Sequence, residues 1–199
     1  VLVSPKENVV KNTIDDLSMP GEMFDLLGLD RSPYNKINIH CNGVYGDKIS
    51  AMNRFCENFQ KLPDSVKSRL TIENDENSWG LDASLELIKE VALVVDIHHH
   101  WVHSAGEYIT PGDDRIKRII DSWRGVRPAM HYSVSREDVI PGHATNIKPN
   151  YKTLLESGYK KAKLRAHSDY YWNDAVNEWA WTFTDDFDIM CESKAKNLA

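Results

Sequence analysis

The sequence is poor in cysteine: three residues, Cys41, Cys56 and Cys191, an odd number at wide spacing. That excludes a disulfide framework and predicts a reducing, cytosolic setting. No apolar run approaches the roughly 20 residues of a membrane span. The opening Val1-Leu2-Val3 is too short for a signal peptide. Positive charge is in deficit too. Lys and Arg total 24 against 30 Asp and Glu, a formal net charge of −6. A generally basic nucleic-acid coat is therefore excluded, although a local basic groove is not. Gly-rich phosphate loops, dinucleotide fingerprints, Gly-x-Ser-x-Gly elbows and Cys-x-x-Cys pairs are absent. No internal repeat or low-complexity linker occurs. The chain opens Val-Leu-Val-Ser-Pro without an initiator Met, as a processed gene product or a cut through a longer protein would.

What is present suits one domain. The chain has 199 residues, 41% hydrophobic and 27% charged, enough for a single sizeable core. Short β-rich runs alternate with helical patterns. Val1-Leu2-Val3 reads as the tail of a strand. Ser4, Pro5 and Glu7 read as a capped helix start, kinked or broken at Pro20-Gly21, resuming over Met23 to Leu27 and stopped by Gly28. Strands are expected over Lys36–His40, Leu70–Glu73, Ala92–Asp96, Pro128–His131 and Phe187–Glu192. Helices are expected from Asp47 to about Leu62, Asp82 to Glu90, Asp113 to Trp123 and Tyr151 to Tyr159, and a His-rich loop after Asp96. Alternation with short connections predicts an α/β fold with a parallel sheet. Five strands and an opening stub are fewer than a complete eight-stranded barrel of typically ~250 residues requires, so the chain is a smaller α/β fold or part of a barrel.

The chemistry gathers where strands end. His40, Glu73, Asp96, His131 and Glu192 each follow an apolar run directly or within one residue. In a parallel α/β fold all carboxyl ends of strands share one face, where sites are built. One polar residue after a strand is ordinary; five metal-binding types in that position point to a converging metal pocket. Mixed nitrogen and oxygen ligation suits Zn or Mn better than Ca or Mg, and a bridging carboxylate could hold two ions ~3.5–4 Å apart. The run Asp96-Ile97-His98-His99-His100 adds donors, and spacing alone does not choose among the three histidines. His103 reads as a bystander. Trp172, Trp179 and Trp181 beside Tyr170 and Tyr171 could stack on bases, but core packing is the simpler role. Lys160, Lys161, Lys163 and Arg165 suit phosphates; a solvated face explains them equally well.

Six stretches together resemble the ultraviolet damage endonucleases, relatives of endonuclease IV and the xylose-isomerase-like barrels. They are Ile39-His40-Cys41-Asn42-Gly43-Val44-Tyr45-Gly46-Asp47-Lys48, Arg69-Leu70-Thr71-Ile72-Glu73-Asn74-Asp75-Glu76, Asp96-Ile97-His98-His99-His100, Met130-His131-Tyr132-Ser133, Ala166-His167-Ser168-Asp169-Tyr170 and Asp188-Ile189-Met190-Cys191-Glu192-Ser193-Lys194-Ala195-Lys196. They run in the family's order over nearly the whole chain.

The resemblance implies a TIM-barrel-like (β/α) fold over residues 1–199. The first strands of the barrel would be lacking, and residues 134–160 would be an inserted segment. It implies two or three divalent ions, manganese before zinc or magnesium, held by His40, Glu73, Asp96, His99, His131, His167 and Glu192. Glu73, Asp96 and Glu192 would be catalytic. Within the triplet it selects His99, three residues after Asp96, and it prefers His167 to His143. Glu73 would bridge two ions, Asp96, His131 and Glu192 would complete the second site, and His99 and His167 would hold a third. Tyr45 and Lys48 would contact DNA. Position 129 is Ala where some members carry a carboxylated Lys. The implied activity is cleavage of the phosphodiester 5′ to ultraviolet photoproducts or abasic sites in duplex DNA. The protein would then lie in the cytoplasm with the nucleoid, or in a nucleus, and a missing N-terminal segment would be a further partner. The alternatives are a metal-dependent sugar isomerase or epimerase on the same barrel, and an inactive fragment of the nuclease.

Overall fold

A computed structural model describes residues 1–199. In chain order the elements are α1 (Glu7–Leu26), β1 (Ile37–His40), α2 (Lys48–Phe59), α3 (Asp64–Lys67), β2 (Leu70–Glu73), α4 (Leu81–Ser84), β3 (Ala92–Asp96), α5 (Ile97–His103), α6 (Asp114–Ser122), β4 (Ala129–Tyr132), α7 (Tyr151–Glu156), α8 (Lys161–Leu164), α9 (Asp174–Trp181) and β5 (Asp188–Cys191). The strands form one sheet in the order β1-β2-β3-β4-β5, every pair parallel. Each strand thus lies beside the one before it in the chain, the order of a barrel wall. The sheet does not close: β1 and β5 are its two edges. The expected α/β, partial-barrel architecture is what is observed.

The strands are short apolar runs because both faces of the middle of the sheet are covered. All residues of β2 and β3 are buried, as parallel strands flanked by helices require. Phe55, Trp79, Leu85, Ile116, Ile119 and Trp123 pack in the same core. By contrast β5 is largely exposed.

Several local expectations are corrected. Val1–Val3 is not a strand. Leu2 and Val3 are buried, and their carbonyls accept Asn58 Nδ2 at 2.8 Å and Arg54 Nε at 2.7 Å, so side chains satisfy them in place of a neighbouring strand. The capping box does not form: Ser4 Oγ accepts the Lys6 amide and Lys6 occupies the N-cap. Pro20 does not break α1, which runs 20 residues through it. Packing outweighs the local penalty there. Gly21 faces α3 so closely that a Cβ would lie 2.8 Å from Val66 Cγ2 and 2.9 Å from Ser65 Oγ. The helix expected over 82–90 is split into α4 and a 3-10 turn at Leu85–Leu87. The expected His-rich loop is α5, because Asp96 caps it by accepting the His99 amide at 2.7 Å. Helix α9, not anticipated, is capped by Asn173.

Residues 134–160 pack into the body. Val134, Ile140, Tyr151 and Leu154 are buried, and Asn173 Nδ2 donates to the Ala144 and Ile147 carbonyls. Ser135 forms an isolated antiparallel bridge with His167.

Candidate metal centre

Strand register brings the polar ends together. His40 lies beside Glu73 across β1–β2, and Asp96 beside His131 across β3–β4. Glu73 pairs with Val94, so Asp96 stands two residues further along and points to the same face. Glu192 follows β5 and donates its amide to the Tyr132 carbonyl at 2.8 Å. His99 comes from the first turn of α5, and the bridge to Ser135 sets His167.

The seven side chains singled out from sequence meet in three overlapping groups. These are His40, Glu73 and His99; Asp96, His99 and His167; and Glu73, Asp96, His131 and Glu192, with donor atoms within 4.8 Å of one another in each. Glu73 is central. Its Oε1 lies 3.7 Å from His40 Nε2 and 3.5 Å from His99 Nδ1, and its Oε2 lies 3.1 Å from His131 Nδ1. His131 Nδ1 is also 3.3 Å from Glu192 Oε1, and His167 Nδ1 3.7 Å from Glu192 Oε2. His99 and His167 approach Nε2 to Nε2 at 3.4 Å. His99 therefore belongs to two groups, and Asp96 joins the group of His99 and His167.

These donors fit divalent cations. Asp96 is fully buried, yet its Oδ2 has no hydrogen-bond partner. His40 Nδ1 is likewise buried without a partner, and His131 Nδ1, close to Glu73, lacks hydrogen-bond alignment. Buried polar atoms are normally satisfied, so unpartnered atoms on three members of these groups suit a place for a cation. Burial pushes the Asp96 and Glu192 carboxyls up. Burial also works to raise Glu73, but the imidazoles of His131, His40 and His99 outweigh it and hold the carboxyl low. Burial works to lower His99 and His131, yet the surrounding carboxylates leave both raised. His167 is lowered by burial and by His99 beside it. Imidazoles thus supply the positive charge that faces the three carboxylates.

The supporting residues were not singled out from sequence. Asn38, two residues before His40 on the same face, donates to Glu73 Oε2 at 2.6 Å and accepts from Thr71 Oγ1 at 2.9 Å. Asn74 exchanges hydrogen bonds with the backbone of Asp96, and its own carbonyl lies 3.0 Å from His99 Nδ1. Glu76 lies 4.0 Å from His99 Nε2. Period-two alternation within β1 was the available signal for Asn38.

The remaining histidines are elsewhere. His98 is buried, stacked on Trp101 and edge-on to His167, and burial pulls its pKa down to about 3. His100 pairs with Glu107 at 3.0 Å. His103 packs over Gly80, and His143 is outside the groups, its ring against Trp172. Tyr45 is exposed on the loop after His40, with φ of 50°, and Lys48 opens α2. A cleft of about 370 Å³ lined by His40, Asn42, Gly43, Asp75, Glu76, Asn77 and Ser78 adjoins them. Trp179 is buried and donates to the Ile109 carbonyl, whereas Trp181 is exposed.

Known proteins share this chain's pattern. The sequence profile of the family described as UV-endonuclease UvdE matches residues 1–199. The "UV DNA damage endonuclease" of Bacillus velezensis is 32% identical over 156 residues, covering 76% of this chain and 48% of that protein. The protein of the same name from Bacillus cereus strain Q1 is 31% identical over 204 residues, covering 100% of this chain and 56% of its own length. The chain therefore spans about half the length of the curated relatives it matches. The solved structure titled "Crystal Structure of SacUVDE" superposes with a TM-score of 0.66 at 26% identity, over 100% of this chain and 58% of that one.

Proposed function

The chain belongs to the UV-endonuclease UvdE family, and from that premise we propose that it is a metal-dependent DNA endonuclease. The proposed reaction is hydrolysis of the phosphodiester 5′ to an ultraviolet photoproduct or abasic site in duplex DNA. One observation carries the reading: seven His, Asp and Glu side chains from five strand ends and two adjoining segments gather in overlapping groups with unsatisfied buried donors. Bound divalent ions supply the positive charge that polarises a phosphodiester and acidifies water.

The residues divide the work. Glu73 offers one oxygen to the group of His40 and His99 and the other to His131, which suits it to bridge two ions. Asn38 holds the Glu73 Oε2 side and so fixes the carboxylate plane. Asp96 and Glu192 would complete the second position with His131, and His99 with His167 would hold a third ion. Mixed imidazole and carboxylate ligation favours manganese, with zinc or magnesium as alternatives. In this reading Tyr45, exposed on the loop beside the cleft at His40, and Lys48, half-buried at the start of α2, would meet the DNA backbone. A flipped lesion costs least where damage has already weakened stacking. Residues 134–160 are an inserted segment in this reading. Further strands of a longer protein would complete the wall at the open flanks of the sheet. No helix is long and apolar enough to cross a membrane; the workplace is chromosomal DNA, in nucleoid or nucleus.

The test is conversion of supercoiled plasmid to open circles by the gene product with Mn2+. Nicking restricted to irradiated plasmid, lost with EDTA and in Glu73→Gln, is expected. Intact irradiated plasmid after incubation with the folded, manganese-loaded protein would overturn the reading.

A further inference from the structure

Arg165 stands at the mouth of the donor cluster in an unusual state. Its Nη1 donates to Glu76 Oε1 at 2.9 Å, its one ion pair, while the side chain remains 45% exposed. Glu76 in turn lies 4.0 Å from His99 Nε2 through its other oxygen. One carboxylate therefore separates the guanidinium from the cluster. Anchoring through a single nitrogen aims the group and leaves its remaining donors facing solvent. Guanidinium forks match phosphate oxygens in pairs.

The backbone beneath Arg165 is held on both sides. Ser135 Oγ donates to the Leu164 carbonyl, Arg136 N donates to the Ala166 carbonyl at 3.2 Å, and Ser168 N donates to the Val134 carbonyl at 2.9 Å. Leu164 is fully buried. The same strap that presents His167 to the cluster thus presents Arg165 beside it.

The surroundings are basic in a chain that is acidic overall. Lys160, Lys161 and Lys163 are exposed on α8 and just before it. Burial lowers the His103 imidazole, and both Lys161 and Lys48 lower it further against the opposing pull of Asp75 and Asp82, so the α8 and α2 ammonium groups act on one spot. Together they make a local positive rim against a net charge of −6.

We propose that Arg165 is a phosphate-binding residue that seats the DNA strand over the cation cluster, with Glu76 holding its guanidinium in place before the strand arrives. The proposal rests on the nuclease reading and adds a contact to it. The lysines of α8 extend the same track along the backbone.

The experiment measures binding of a labelled duplex to the Mn2+-loaded gene product by fluorescence anisotropy across a salt series, with plasmid nicking in parallel. Arg165→Gln and Arg165→Met should weaken binding about tenfold at low salt. Each should reduce the slope of log affinity against log salt by about one. Arg165→Lys should restore the slope, as a point charge replaces the fork. Calorimetric Mn2+ affinity should stay within about twofold of wild type in all three. Arg124→Gln, at the opposite ends of the strands, should leave the slope unchanged. Circular dichroism checks folding, and either folded charge-removing variant suffices. A wild-type slope in those variants overturns the Arg165 contact alone. A wild-type protein that binds Mn2+ but neither binds nor nicks DNA overturns the nuclease reading and this contact together.

Discussion

Asp96 approaches His99 at two places. Its Oδ1 accepts the His99 amide at 2.7 Å, capping α5, while its Oδ2 lies 3.5 Å from the Nδ1 of the same residue's ring. One carboxylate therefore starts the helix that carries His99 and shares a donor group with that ring. The two duties separate by substitution. Asn caps a helix as well as Asp does, and it removes a buried charge whose carboxyl burial already pushes up. Asp96→Asn should leave thermal stability without metal at or above wild type, and should lower Mn2+ affinity by about 100-fold. Asp96→Ala should lose the cap as well, at about 1 kcal/mol. Denaturant titration and calorimetry of each variant check the split.

Cation binding should stabilise the fold. Three buried or half-buried carboxylates face one another with only imidazoles between them. A ligand at 100 times its Kd adds about 2.7 kcal/mol, or roughly 5–10 °C in Tm for a chain of this size. Scanning calorimetry with Mn2+, then with EDTA, should show the rise and its reversal. An unchanged Tm at saturating Mn2+, Zn2+ and Mg2+ would count against the cluster as a metal site.

Gly21 should tolerate no side chain. An added Cβ would meet Val66 and Ser65 on α3 at less than 3.0 Å, so α1 would have to lift from α3. Gly21→Ala should cost about 1–3 kcal/mol in chemical denaturation, against the gain alanine brings to an unpacked helix position. An unchanged or higher stability would show that the contact yields freely.

Acid should loosen the attachment of α1. Hydrogen bonds from Arg31 and the fully buried Arg69 hold the Asp25 carboxyl at about 2, against 3.8 for the free group. A carboxyl depressed in the folded state contributes stability above its unfolded pKa and loses it as pH falls through the folded value. The contribution is thus complete above about pH 4 and fades towards pH 2. Wild type should exceed Asp25→Asn in stability at neutral pH, with the gap closing across that window. Parallel urea titrations at pH 6, 4 and 3 check it, and a gap that holds constant would remove Asp25 as its source.

The sheet was legible because buried parallel strands read as apolar runs ending in a polar residue. Ala92–Val95 before Asp96 needs no further context. Five donor positions, His40, Glu73, Asp96, His131 and Glu192, followed from the same rule, whereas His99 and His167 came only from the resemblance. What escaped depended on contacts remote in sequence. Pro20 reads as a breaker until α3 is in place against Gly21. The histidine triplet reads as a loop until Asp96 is seen to cap it. Asn38 looks like an ordinary strand residue, and only the register against Thr71 and Glu73 makes it a prop for the Glu73 carboxylate. Helix α9 has no apolar period plain enough to read from sequence, although Trp179 turns inward as core packing of its aromatics implied.

The sheet is written along the chain in spatial order, and that order has a temporal meaning during synthesis. His40, Glu73 and His99 all lie in the first half of the sequence, whereas His131, His167 and Glu192 come later. A nascent polypeptide can therefore bring its first three donors together well before its last carboxylate leaves the ribosome, assembling the cluster group by group as each stave is laid beside its predecessor.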